Sequence, residues 1–299
     1  MNPLFPVLTA AAVLFAGAAQ AERLTEAPLV DAAWLAGHLG NESLVVIDVR
    51  DPVKNANPYA AGHIPGAISA PYAGYGWRAK VDGIPGMLPP VDNISARIGA
   101  LGVSSDKHVV IVPQGSDSSE FGGATRVYWT FKVLGHDAVS ILDGGQNAWV
   151  AAGGAVETDA VTSVAATFTP AFRPELLATT EQVAAAIDNE VALVDGRPPK
   201  QFHGEEKPAV ARVAGTIPTS VNIDQGQFYS GTFASADAIG KLRDAAGLTG
   251  EEETIAFCNT GHWASIAWFG LSEIAGQKNV SMYDGSMAEW TLDEKRPVK

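Results

Sequence analysis

The strongest constraint on this chain is that it is written twice. Leu44-Val45-Val46-Ile47-Asp48-Val49-Arg50 returns as Val191-Ala192-Leu193-Val194-Asp195-Gly196-Arg197, each an apolar run ending in Asp-x-Arg. Ala61-Gly62-His63-Ile64-Pro65-Gly66-Ala67 returns as Ala214-Gly215-Thr216-Ile217-Pro218-Thr219-Ser220. His108-Val109-Val110-Ile111-Val112 is matched with Thr254-Ile255-Ala256-Phe257-Cys258, and Ile141-Leu142-Asp143-Gly144-Gly145 before Trp149 with Met282-Tyr283-Asp284-Gly285-Ser286 before Trp290. The period is too long for a solenoid unit and signals a duplicated domain.

Within each copy, short Val/Ile-rich runs alternate with helical patterns such as 180–187 and 264–274. That alternation predicts an α/β fold in which a mostly parallel sheet is flanked by helices. Thr180 reads as the N-cap of the first of these helices. The domains are placed at 28–155 and 179–299. The polar, Thr-rich stretch 156–178, with Pro170 and Pro174, is read as the connection between two domains with a core each.

The chain has one cysteine, Cys258, at the end of an apolar run and before Asn259-Thr260-Gly261-His262-Trp263 and a helical pattern. In a strand–loop–helix turn, backbone N–H groups and the positive helix end converge on the sulfur and favour the thiolate. Ligands of open parallel sheets bind beyond the carboxyl ends of the strands, where Cys258 is predicted to lie. Leu4 to Ala19 is almost wholly apolar, and Ala19-Gln20-Ala21 is an A-x-A site before Glu22-Arg23. This predicts a signal peptide over 1–21, cleaved after Ala21, and a periplasmic or secreted protein with no membrane insertion after processing. A lone thiol sent to an oxidising compartment is expected to be used.

A formal net charge of −13 argues against a nucleic-acid partner, which would require a basic face. The six histidines are scattered, so neither a metal site nor a cofactor is expected.

Taken together and in order, the repeated Asp-x-Arg, the Gly-His-Ile-Pro-Gly-Ala segment, the Cys-x-x-Gly loop and the terminal Asp-Gly-Gly/Trp element resemble the tandem rhodanese family of thiosulfate and 3-mercaptopyruvate sulfurtransferases. The resemblance covers nearly the whole of the predicted mature chain. It implies a first domain without a nucleophile, consistent with Pro113-Gln114-Gly115 after Val112. It also implies a second domain in which Cys258 takes a sulfane sulfur as a persulfide. The implied partners are a small sulfur-containing anion as donor and cyanide or a thiol as acceptor.

Two departures concern the anion. The loop has neither the basic residue common in thiosulfate-using members nor the Gly-Ser pair of mercaptopyruvate-using ones, leaving His262 as its only ionisable side chain apart from Cys258. The substrate-binding Arg of the second domain aligns with neutral Gln201, while Arg197 is retained. Arg197 and Gln201 therefore join the loop residues Asn259, Thr260, Gly261, His262 and Trp263 as candidate donor contacts, with Lys200, Lys207 and Arg212 close in sequence. Asp195 and Arg197, like Asp48 and Arg50, also read as a buried structural pair. Trp149 and Trp290 read as packing residues and His63 as a hydrogen-bonded turn histidine. Two other activities fit a Cys loop at a helix start. A phosphocysteine phosphatase would want an Arg at the loop's end, where Trp263-Ala264-Ser265 stands. A non-enzymatic persulfide carrier would not need strong donor binding.

Overall fold

The computed structural model describes residues 23–54, 56–189 and 191–299. The predicted signal peptide lies outside the described residues. The first domain carries β1 (Leu29–Val30), β2 (Leu44–Asp48), β3 (Ile68–Ser69), β4 (Ala79–Val81), β5 (Ile84–Met87), β6 (His108–Val112) and β7 (Val139–Leu142). The second carries β8 (Ala192–Asp195), β9 (Val221–Asn222), β10 (Thr254–Phe257) and β11 (Val280–Met282).

The two parallel sheets run in the order β1-β7-β6-β2-β3 and β11-β10-β8-β9. Four of the five strands of the first sheet thus repeat as the second. The place of β1 against β7 is taken in the second copy by a single parallel bridge, Leu177 to Met282. The central strands are buried on both faces, β6 over its whole length, which is why they read as unbroken Val/Ile runs. No helix among the described residues is long and apolar enough to cross a membrane.

The strand register corrects one detail of the repeat. Asp48 pairs with Val112 and Asp195 with Phe257, so the residue matching Cys258 is Pro113 rather than Val112. The helix expected from Thr180 does begin there, but its N-cap is Thr179, whose side chain accepts from the Gln182 amide in a capping box.

Two separate cores are not what the chain builds. One continuous cluster runs from Ile47, Trp77 and Phe131 of the first domain to Phe228, Ile266 and Trp268 of the second, with smaller clusters beneath each sheet. The seam is the helix Ser118–Val133 packed on His262–Trp268, with Thr125 Oγ1 and Ser265 Oγ 2.8 Å apart. Packed in this way, Ser118–Val133 is buried from Phe121 to Phe131 without a break, Thr125, Arg126 and Thr130 included, because a helix between two sheets has almost no solvent face.

Each domain also reaches into the other's loop. Asp143 accepts from the Phe233 amide at 2.8 Å, and the matching Asp284 accepts from the Leu88 amide at 2.5 Å. The β4–β5 hairpin lies so close to the Cys258 loop that a Cβ on Gly86 would come within 3.0 Å of the Thr260 carbonyl oxygen. The segment 156–178 is a strap on the first domain, tied by Ala166 N to Gly99 O at 2.8 Å and Arg173 N to Val133 O at 2.8 Å.

Candidate active site

β10 ends at Phe257, and Cys258 to Gly261 make a four-residue loop before the helix His262–Trp268. His262 and Trp263, expected in the loop, form the first turn of that helix. Gly261 has φ +74°, and a Cβ there would sit 2.3 Å from Arg126 Nη1 and 2.5 Å from Asp284 Oδ1, so both conformation and space require glycine. Arg126, fully buried, pairs with Asp284 at 2.5 Å, donates to the Gly261 carbonyl at 3.2 Å and stacks on Trp129. The loop is therefore clamped by an arginine of the other domain.

Cys258 lies at the floor of a cleft of about 780 Å³ between the domains, and is itself only 1 % exposed. From the second domain the cleft is lined by Asn259, Thr260, His262, Trp263 and the turn Pro208–Val210. From the first it is lined by Val49, Arg50, Tyr72, Arg78 and the Gln114–Glu120 region, among others. Arg50 is committed to Asp48, at 2.6 to 3.0 Å, and to the Gly62 carbonyl. Arg78 makes no ion pair among the described residues and lies 4.8 Å over the Tyr72 ring. It is the cleft's uncommitted cation. The amides of Asn259 and Thr260 likewise have no acceptor among the described residues.

Several candidate donor contacts are placed elsewhere. Arg197 does not line the cleft: it is fully buried, its guanidinium donating three hydrogen bonds to Asp195 at 2.6 to 3.0 Å and one to the Gly215 carbonyl at 2.8 Å. Its burial as a structural pair is the reading that holds, because a buried guanidinium needs its carboxylate. Gln201 is also buried and off the cleft, and its Oε1 accepts from Asn259 Nδ2 at 2.8 Å, so it orients the loop. Lys200, Lys207 and Arg212 do not line the cleft. Trp149, Trp290 and His63 are buried, the last bonded to the Tyr59 carbonyl at 2.9 Å.

His262 is in the site but carries no charge there. Its Nε2 is 2.8 Å from the Ser119 carbonyl, which can only accept, so Nε2 holds the proton and Nδ1 accepts from the Tyr72 hydroxyl at 2.9 Å. Burial, and then the nearby Arg78, push the imidazole down to about 4, and burial pushes the Tyr72 phenol up to about 12. Since the folded protein takes up this proton near pH 4 and the unfolded chain near 6.5, the group's contribution is intact above 6.5. It is lost as pH falls from 6.5 to 4. Urea denaturation of the native protein and of His262→Gln should diverge in slope against pH across that window. The His262 ring resonances should stay fixed between pH 8 and about 5.5.

Arg78, Tyr72 and Ser119 were not legible as site residues, because they sit in the other half of the chain and carry no motif. Ser286 had a signal: it stands where the first copy has Gly145.

Comparison with known proteins agrees with this architecture. The rhodanese-like domain model matches residues 31–152 and 179–293. The chain belongs to the rhodanese family. Among relatives, a candidate thiosulfate sulfurtransferase of Haloferax volcanii is 34 % identical over 88 % of this chain and 92 % of its own. The 3-mercaptopyruvate sulfurtransferase of Escherichia coli is 28 % identical over 90 % of this chain and 97 % of its own. The crystal structure of the Escherichia coli 3-mercaptopyruvate sulfotransferase superposes with a TM-score of 0.77 at 26 % identity, covering 87 % of this chain and 98 % of that one. An anaerobic ergothioneine biosynthesis enzyme of Chlorobium limicola shares the fold, with a TM-score of 0.77 at 22 % identity over 91 % of this chain and 70 % of that one.

Proposed function

We propose that this rhodanese is a sulfurtransferase in which Cys258 carries the sulfur and Arg78 holds the anionic donor. The observation that carries the reading is the cleft itself, where the chain's single thiol, two unengaged loop amides and an uncommitted guanidinium share one enclosure. In the first half-reaction the Cys258 thiolate attacks the donor's transferable sulfur. The bond from that sulfur to the leaving group breaks, and sulfite or a pyruvate enolate departs with the electron pair. The persulfide anion remains over the Asn259 and Thr260 amides, at the end of β10 and the start of the helix, where fixed dipoles stabilise it without reorganisation. In the second half-reaction cyanide or a thiol attacks the outer sulfur and the Cys258 thiolate is the leaving group.

The first domain offers an analogue of the anion's position. Following Pro113, the Gln114 and Gly115 amides donate to the Glu120 carboxylate at 2.6 and 2.8 Å. There the loop after the strand is filled by the protein's own anion, and in the second domain it is left open beside a thiol. A phosphatase reading has no support from the loop, since Arg126, the one arginine bonded to it among the described residues, is spent on Asp284 and the Gly261 carbonyl.

Intact-mass measurement after exposure to thiosulfate or to 3-mercaptopyruvate should show a gain of one sulfur, discharged by cyanide or a thiol. No gain with either donor would end the sulfurtransferase reading; a gain without turnover would leave a persulfide carrier. Arg78→Ala should raise KM for the donor about 10- to 100-fold, because a charge-assisted bond to an anion contributes about 1.5–3 kcal/mol. An unchanged KM would place the anion elsewhere. Export is part of the same proposal, supported by the apolar run before Ala19-Gln20-Ala21, and an N-terminus at Glu22 on the secreted protein would test it.

A further inference from the structure

At Ser286, as at Thr219 opposite Gly66, the second copy holds a side chain in a backbone conformation that the first copy gives to glycine, and Ser286 alone of the two stands beside the thiol loop. It adopts φ +49°, a left-handed conformation that strains a residue with a side chain, and it is fully buried. Its counterpart is fixed by two matched hydrogen bonds. Gln146 N reaches Pro113 O at 2.8 Å where Met287 N reaches Cys258 O at 3.0 Å, and Asn147 N reaches Gln114 O at 3.1 Å where Ala288 N reaches Asn259 O at 3.0 Å. Gly145 therefore stands for Ser286, at φ +57°, and Pro113 for Cys258.

The two substitutions belong together. Proline has no N–H, so the first loop begins without a donor, and glycine meets its left-handed position without strain. A Cβ on Gly145 would even come within 2.3 Å of the Pro113 carbonyl. Cysteine has an N–H, and here it is buried. It donates to Ser286 Oγ at 3.0 Å, as the Gly261 amide does at 3.2 Å. The hydroxyl's own hydrogen goes to the Tyr283 carbonyl at 2.8 Å, and Oγ lies 4.0 Å from Cys258 Sγ.

We infer that Ser286 is a positioning residue for the nucleophile, its oxygen tying both ends of the Cys258–Gly261 loop. Engaging the two end amides inward leaves those of Asn259 and Thr260 for the sulfur anion. A serine is held in a glycine conformation because only a side-chain acceptor can do this. The inference rests on the sulfurtransferase reading for its consequence in turnover, but not for its effect on the thiol.

Two variants separate loop geometry from stability. Ser286→Ala keeps the strain and loses the oxygen, whereas Ser286→Gly loses the oxygen and relieves the strain. Ser286→Gly should melt above Ser286→Ala, yet both should lose about tenfold or more in kcat with KM for the donor within about twofold, as expected when buried amides lose their acceptor. In both, the pH dependence of Cys258 alkylation should move upward relative to the native protein. Native kcat and a native alkylation profile in a folded Ser286→Gly would overturn the assignment. If the native protein transfers no sulfur, the sulfurtransferase reading fails and the alkylation shift alone decides the role of Ser286.

Discussion

Cys258→Ser should abolish both the gain of one sulfur and all turnover, while the protein stays folded. The side chain is buried at the cleft floor, and the change removes a polarisable sulfur without leaving a large void. A serine hydroxyl at that position has no base to activate it. The imidazole that lines the same cleft, His262, spends both nitrogens on Ser119 and Tyr72. There is also no second thiol in the chain to stand in. Activity should therefore fall to background rather than by a factor, with a melting temperature close to native as the control. Sulfur transfer surviving in Cys258→Ser would remove the persulfide from the mechanism, and with it the meaning assigned to the loop.

Asp284→Asn should cost about 3–5 kcal/mol in chemical denaturation, the range for breaking a buried ion pair from one side. Asp284 is 1 % exposed, and Arg126, its partner, is fully buried and comes from the other domain. Asparagine still accepts from the Leu88 amide, so what changes is the charge: Arg126 keeps its cation with no anion to meet it. If this orphaned charge is the cause, Arg126→Met added to Asp284→Asn should recover much of the loss. Because the continuous core crosses between the domains, both halves should unfold together. A double variant no better than the single would show that the loss comes from the loop backbone at Gly261 and not from the charge.

Where the two copies agree, the sequence was legible for a simple reason. Parallel strands buried on both faces need unbroken Val/Ile/Leu runs, and an Asp-x-Arg at a strand end closes on itself within three residues, at Asp48/Arg50 and at Asp195/Arg197. Such features are local, so the duplicated α/β architecture and the placement of Cys258 at a strand end could be read from spacing alone. The one-residue slip, matching Val112 to Cys258, arose because apolar runs look alike in either register. The pairings of Asp48 with Val112 and of Asp195 with Phe257 resolve it.

The composition of the cleft was beyond such reading. Arg197 looked like a donor contact, yet it is walled in by Asp195 and Gly215. Gln201 looked like a lost arginine, yet it serves as the hydrogen-bond partner of Asn259. The uncommitted cation, Arg78, precedes a hairpin of the other domain and reaches the cysteine's cleft only because the two sheets pack through the helices at 118–133 and 262–268. Periodicity determines which residues are buried in each copy. Which charges meet a thiol is decided by how the two copies face one another, and that depends on contacts between residues far apart in the chain, for which no local pattern exists.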